Sequence, residues 1–219
     1  KCHTRALYPF CFILSDDQLV KVINNKHFRH NKNAKTAFLQ RLCSHNTAHN
    51  MLAYIGHAKG YKYINEAIAD EEIREKMLRA LEEGARGLVH RYGIEIGVQK
   101  KKIAEEVDKL FVTNFSDPIS RVGRTPIKKL GSYERFILPA TLAYEAGIFP
   151  ESLCQGIAHL LNYRDPLDSE STLLATKIES NGVENVLEEY SGLKADHPII
   201  KRVKEIYRSL AVVKDDKRL

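Results

Sequence analysis

The sequence predicts an all-α fold, because helical periodicity dominates it from about residue 37 onward. In residues 64–93, apolar side chains recur mostly every four or five positions, the spacing of one face of an α-helix. Helix-breaking residues stand at the ends of such segments: Gly93 follows the first long one, and Gly182 and Gly192 fall between later ones. A domain built mainly from packed helices is therefore expected.

Local signals place the first helices. Asp70 is suited to cap a turn within residues 64–93, and Glu71 and Glu72 suit a first helical turn. A second helix follows, with Ile103 and Val107 among the residues of its apolar side. After Pro118, a stretch dense in Arg, Lys, Gly and Pro predicts a loop with short helical turns. Further helices are expected near residues 136–147, 150–163, 167–180, 183–190 and 197–213.

Residues 1–36 differ from the rest of the chain. They begin with a strand-like apolar patch and continue as a polar, Asn-rich stretch that indicates a loop. We expect a short irregular or strand-containing segment at 1–36, a possible remnant of an inter-domain region, followed by one helical domain at 37–219.

Composition narrows the class of protein. The chain carries a net charge of +6, a mild basic excess that suits an anionic small molecule. The sequence contains no basic run interleaved with aromatic residues, the pattern typical of nucleic-acid binding. It also contains no apolar run long enough to span a membrane. The four cysteines form no CxxC pair, which favours a reduced, cytoplasmic setting. His27 and His30 lie three apart in a polar segment, and we expect no metal site there.

The first candidate for chemistry is the stretch RLCSHNTAHN, residues 41–50. Asn46 and His49 lie three residues apart and would share one face of a helix, with Arg41 five residues before Asn46. This spacing suits an enzyme that handles an alcohol or a carbonyl group. The alternative is that Asn46 caps a helix starting at Thr47 and His49 is a polar residue of its first turn.

The second candidate is the basic loop after Pro118. Arg121, Arg124, Lys128 and Lys129 could together bind a phosphate or a carboxylate, since Arg offers a planar donor fork and Lys a point charge. The alternative is a solvated cationic loop. Neither a GxGxxG nor a GxxxxGK motif occurs, so the sequence holds no phosphate-binding signature for a nucleotide.

Five stretches together resemble the C-terminal domain of mannitol-1-phosphate 5-dehydrogenases, in the family of polyol-specific long-chain dehydrogenases. They are RLCSHNTAHNMLAYIGHAKGYKYINEAIADEEI, ALEEGARGLVHRYG, ISRVGRTPIKKLGSYERFILPA, GIAHLLNYRDPLD and EYSGLKADHPII. The resemblance covers roughly residues 37–210. It implies a multi-helix substrate domain like the C-terminal domain of 6-phosphogluconate dehydrogenase, which normally follows a Rossmann domain that binds NAD.

The resemblance also implies roles for single residues. In such enzymes a Lys acts as general base, while an Asn five residues later and a His three further on orient the alcohol oxygen. Asn46 and His49 match, and Arg41 stands at the Lys position. Arg121 and Lys129 match a substrate-contacting Arg and Lys eight residues apart. No cofactor-binding residues can be assigned.

Two departures from the family pattern determine the activity that we expect of this chain. The Rossmann domain is absent from this sequence, so NAD would need a separate or missing domain. Arg41 cannot serve as a base, because a guanidinium does not deprotonate in proteins. The expected function is the oxidation of mannitol 1-phosphate by NAD to fructose 6-phosphate. Because the base position is Arg41, we expect a truncated or impaired form of the enzyme, and the chain alone is expected to be inactive. The alternative is a non-catalytic helical module that binds a sugar phosphate or a protein partner.

Overall fold

The computed structural model describes residues 34–112 and 117–216, and over these ranges the chain is built from packed α-helices. In chain order they are α1 (Ala34–Arg41), α2 (Thr47–Ala58), α3 (Ile64–Ala69), α4 (Glu71–Tyr92), α5 (Ile96–Val112), α6 (Ile119–Gly123), α7 (Pro126–Lys129), α8 (Ile137–Glu145), α9 (Glu151–Leu161), α10 (Ser169–Ser191) and α11 (Pro198–Asp216). A π-helical segment, Leu42–Asn46, joins α1 to α2. The all-α prediction is confirmed. Within the described ranges no helix is long and apolar enough to cross a membrane.

The ends of α4 follow the local signals in the sequence. The Asp70 side chain accepts a hydrogen bond from the backbone N–H of Ile73 at 3.1 Å, which caps the first turn. Gly93 ends the helix with a φ of 63°, a left-handed conformation that glycine adopts without a steric cost. The loop after Pro118 contains the expected short turns, α6 and α7.

The break expected between the helices at 167–180 and 183–190 is confirmed, because Gly182 within α10 has a non-helical φ of 80° and ψ of 160°. Two boundaries differ from the prediction. The segment expected as one helix over residues 64–93 is divided at Asp70 into α3 and α4. Helix α1 begins at Ala34, inside the segment 1–36 that the sequence assigned to an irregular region. The strand expected near the start of the chain, with His27 and His30, lies outside the described residues.

Helix α2 runs through the centre of the hydrophobic core. Met51, Leu52 and Tyr54 on this helix are fully buried, together with Phe136 and Tyr163 from distant parts of the chain. The rings of Tyr54 and Tyr163 meet edge to face with centroids 5.3 Å apart, a favourable arrangement for aromatic pairs. Side chains of α2 that do not face the core are therefore held on a rigid support.

Two contacts hold the basic loop against α2 and α3. At its start, an antiparallel bridge pairs Tyr63 with Pro118, and the backbone N–H of Ile119 donates to Lys62 O at 2.9 Å. At its end, the Thr47 hydroxyl lies 2.8 Å from the carbonyl oxygen of Arg135. The start of the loop is thus fixed beside the start of α3, and its end beside the start of α2.

Candidate active site

The three residues of the first motif lie where α1 passes into α2. Arg41 is the last residue of α1, Asn46 ends the π-helical segment, and His49 lies in the first turn of α2. Asn46 has helical dihedral angles and its side chain makes no capping hydrogen bond. The interpretation of Asn46 as a helix cap is therefore wrong: the backbone is helical through this position, which leaves the carboxamide available for another role.

Thr47 closes the π-helical segment. Its backbone N–H donates to the carbonyl oxygen of Leu42, five residues earlier. Its buried hydroxyl lies 2.9 Å from the same carbonyl oxygen and 2.8 Å from Arg135 O. Single π-helical turns of this kind occur often at functional sites.

His49 is oriented by its own helix. Its Nδ1 lies 2.9 Å from the carbonyl oxygen of His45, and the two imidazole rings are 4.2 Å apart. Because a carbonyl oxygen only accepts, Nδ1 carries the hydrogen in this contact. In the neutral ring, Nε2 is then the acceptor nitrogen, and on protonation it becomes a second donor. This fixed tautomer suits a residue that orients a hydroxyl group.

Arg121 of the basic loop is held by the residue at the start of that loop. Its guanidinium forms an ion pair with Asp117, with Nε 2.6 Å from Oδ1 and a second contact from the Nη2 atom. The Arg121 side chain is exposed at the cleft while this carboxylate sets its direction. A paired but exposed guanidinium of this kind can contact an anionic ligand.

The middle of the basic loop is held in a strained conformation. Thr125 has a φ of 56°, in the left-handed region that is rare for a β-branched residue. Its backbone N–H donates to Asp168 Oδ2 at 3.0 Å, and Asp168 also caps α10 by accepting from the N–H of Glu170. The buried Asp168 carboxylate thereby fixes the loop that carries Arg124 and Lys129.

Lys129 is buried, with an exposed fraction of 3%, although it was predicted as part of a cationic loop. Its Nζ donates to the hydroxyl of Tyr54 at 3.1 Å and to the carbonyl oxygen of Val122. Burial lowers the pKa of Lys129 to about 7, and the nearby Arg135 charge acts in the same direction. A shift of this size in a cleft marks a candidate for chemistry.

The five residues that the family resemblance assigns to the site line one cleft of about 630 Å3, together with Arg124. Lys128, the fourth cation of the basic loop, is not among the residues that line it. The lining residues of the cleft are Arg41, His45, Asn46, His49, Asn50, Asp117, Arg121, Val122, Arg124, Thr125, Lys129, Arg135, Leu167, Asp168 and Ser169. The volume falls within the range of about 300–1,000 Å3 that small-molecule sites occupy. Arginine and lysine outnumber carboxylates on the walls, so the cleft favours an anionic ligand.

Several lining residues were not predicted. Asp168 had a local signal, since it precedes the Ser-Glu-Ser start of a helix and suits an N-cap position. Arg135 and Asn50 had none, because their places depend on tertiary packing. Among the described side chains, no group of three His, Cys, Asp or Glu residues could hold a metal ion.

Comparison with known proteins identifies the domain. A family model described as the mannitol dehydrogenase C-terminal domain matches residues 36–211. Mannitol-1-phosphate 5-dehydrogenase of Anoxybacillus flavithermus is 38% identical over 167 residues, which cover 76% of this chain and 44% of the relative. The same-named proteins of Geobacillus thermodenitrificans and Aspergillus terreus are 37% and 36% identical, over 78% and 76% of this chain and 45% and 43% of the relatives.

The chain thus spans less than half the length of these relatives. The match nevertheless runs through both motifs that line the cleft, from Arg41 to Lys129, and through α10 and most of α11. The chain therefore belongs to the family of mannitol dehydrogenase C-terminal domains, as its resemblance to them predicted.

Proposed function

We propose that this chain is the substrate domain of an NAD-dependent mannitol-1-phosphate 5-dehydrogenase, which converts mannitol 1-phosphate and NAD to fructose 6-phosphate and NADH. The observation that carries the proposal is the meeting of Arg41, Asn46, His49, Arg121 and Lys129 on one cationic cleft. These residues come from segments up to 88 positions apart. Their meeting at a cleft of small-molecule size supports a shared ligand.

The cleft offers two kinds of contact for such a ligand. Arg121 and Arg124 are exposed and permanently charged, and they suit the phosphate. Asn46 and the oriented His49 suit the hydroxyl at the reacting carbon, where hydrogen bonds stabilise a developing charge on oxygen. Arg41 adds positive charge near this position.

The described residues offer no cradle for the dinucleotide. A pyrophosphate site of the Rossmann type requires a strand, a Gly-rich turn and the start of a helix, and neither the GxGxxG motif nor such a strand occurs in residues 34–112 or 117–216. We propose that NAD, which would accept the hydride, binds to a separate domain. The domain division proposed for this chain is a helical substrate domain from residue 37 onward, preceded by the segment 1–36.

A second candidate function rests on Arg41. Since its guanidinium cannot accept a proton, position 41 does not supply the general base that the family resemblance implies. Loss of a general base costs about 10²–10⁴-fold in rate. A non-catalytic helical module that binds a sugar phosphate, or a protein partner, would retain the cleft and lack turnover.

Calorimetric titration of the chain with mannitol 1-phosphate tests the proposal. We expect saturable binding that is lost with unphosphorylated mannitol, and Arg121→Ala should weaken it by about tenfold or more, because a charged hydrogen bond contributes about 1.5–3 kcal/mol. Arg79→Ala is the matched control, since Arg79 is also exposed and paired with a carboxylate four residues earlier, on α4. Equal affinity for mannitol and its phosphate would refute the sugar-phosphate assignment.

A further inference from the structure

The reacting hydroxyl must lose a proton, and the proposed function leaves its acceptor unassigned because Arg41 cannot take it. We propose that Lys129 is the proton acceptor of this cleft. This inference rests on the proposed function. The hydroxyl O–H bond at the reacting carbon breaks as an N–H bond forms on the neutral Nζ. The hydride lost from that carbon would be accepted by NAD bound to a separate domain. The resulting ammonium then returns its proton to water.

The hydrogen bonds around Nζ leave one position for this proton. The Tyr54 hydroxyl lies 2.9 Å from the carbonyl oxygen of Gly123, which can only accept, so the phenol proton points to Gly123. Towards Lys129 the phenol oxygen is therefore an acceptor. Val122 O is a second acceptor. Lys129 donates two hydrogens to these fixed partners in either protonation state. The remaining tetrahedral position holds a third N–H in the ammonium and a lone pair in the amine.

The partners themselves do not compete for the proton. Burial raises the pKa of Tyr54 well above its usual value, so its hydroxyl stays neutral and continues to donate to Gly123. Carbonyl oxygens such as Val122 O do not titrate. Of the groups joined by these hydrogen bonds, only the Lys129 amine therefore exchanges a proton.

The charges that face Lys129 come from several elements. Arg135, between α7 and α8, lowers its pKa, while Asp168, Glu134 and Glu170 raise it. Burial outweighs these carboxylates and brings the pKa to about 7. An amine that titrates near the working pH combines a large neutral fraction with a useful affinity for the proton.

A role for Lys129 limited to binding phosphate fits these observations less well. Binding a dianion requires the ammonium form, and burial works against that form. The same cleft already contains Arg121 and Arg124, which are exposed and remain charged at any physiological pH. The buried amine is suited to the reacting hydroxyl and the exposed guanidinium groups to the phosphate.

A comparison of the substrate with the product distinguishes a proton acceptor from a residue that contacts only the phosphate. At the reacting carbon, mannitol 1-phosphate has a hydroxyl that can donate to the neutral amine, whereas the open-chain ketone form of fructose 6-phosphate has a carbonyl that only accepts. The chain is labelled with 13C at the lysine Cε, and the Lys129 resonance is titrated alone and with each ligand at saturation. We expect a pKa of about 7 in the free chain, and a value at least about half a unit higher with fructose 6-phosphate than with mannitol 1-phosphate.

Lys128 is the internal control, since it is exposed on the same short helix and should not distinguish the two ligands. The Lys129 resonance is assigned from Lys129→Gln, or from the shift that Tyr54→Phe causes if the first variant does not fold. Equal rises of the pKa in both complexes would mean that Lys129 contacts only the phosphate, and would overturn the inference while leaving the proposed function intact. Failure of both ligands to bind would overturn both.

Discussion

The amine of Lys129 donates a hydrogen bond to the hydroxyl of Tyr54 at 3.1 Å, although the two residues are separated by 75 positions. Tyr54 belongs to the central core helix and Lys129 ends the second short turn of the basic loop. This contact joins the buried core to the wall of the cleft. Changes in the core are therefore expected to alter the chemistry of the site.

Tyr54→Phe tests this link directly. Removal of the phenol oxygen deprives the ammonium of an acceptor, so the pKa of Lys129 should fall further below about 7. Gly123 O also loses its donor, which should lower the free energy of unfolding by about 1–3 kcal/mol. A 13C titration and urea denaturation measure the two effects. Tyr133→Phe, at a side chain that is 79% exposed, should change neither.

The pH dependence of stability should carry a signature of Lys129. Its pKa is about 7 in the folded chain and 10.5 for an ordinary lysine, so the unfolded chain binds more protons between these values. The contribution of Lys129 to the free energy of unfolding should therefore rise with pH across this window, by up to about 1.4 kcal/mol per pH unit. It should be flat below about pH 6.

Urea denaturation of the native chain and of Lys129→Gln between pH 6 and 9.5 isolates this contribution. The difference between the two unfolding free energies should change with pH in favour of the native chain. Parallel curves would show that the amine has the same protonation in both states, and that its burial does not shift its pKa.

Asp168→Ala should impair binding as well as stability. The variant loses the cap of α10 and leaves the N–H of Thr125 without its acceptor, so the strained turn should relax and displace Arg124 and Lys129. We expect a loss of about 1–2 kcal/mol in stability and a weaker affinity for mannitol 1-phosphate. Asp70→Ala, which removes the cap of α4, should cost stability and leave the affinity unchanged.

Gly123→Ala should disturb the wall of the cleft through a clash with the buried Tyr163 ring. A Cβ atom at this position would lie 2.8 Å from Cζ and 2.9 Å from the hydroxyl of Tyr163, so the ring or the loop must move. Such overpacking costs about 1–3 kcal/mol. Gly97→Ala on α5 meets only a Glu95 oxygen at 3.5 Å and should stabilise the chain by about 0.5–1 kcal/mol. Thermal unfolding followed by circular dichroism compares the two, and equal melting temperatures would exclude the clash.

The parts of the fold that could be predicted are those specified by local chemistry. The ends of α4 follow from a capping carboxylate at Asp70 and from Gly93, whose lack of a Cβ permits the left-handed turn. Gly182 also marked a boundary correctly, since its non-helical φ of 80° and ψ of 160° interrupt α10. The π-helical segment could not be predicted from local sequence, and the Thr47 hydroxyl at its end contacts a carbonyl oxygen 88 residues away.

The residues of the site were predicted from family resemblance and not from local chemistry. The grouping of Asn46 and His49 with Arg121 and Lys129 came from family resemblance, because no periodicity relates the two motifs. The burial of Lys129 was missed, since a lysine in a polar, Gly- and Pro-rich loop indicates exposure to solvent. Its environment depends on Tyr54 and Val122, whose proximity follows only from the packed fold.

The most direct test is a crystal structure of the chain with mannitol 1-phosphate. We expect the ligand in the cleft, with its phosphate against Arg121 and the hydroxyl of the reacting carbon within hydrogen-bond distance of Asn46, His49 and Lys129. A ligand bound elsewhere, or one whose phosphate takes the place next to the Lys129 amine, would contradict this arrangement.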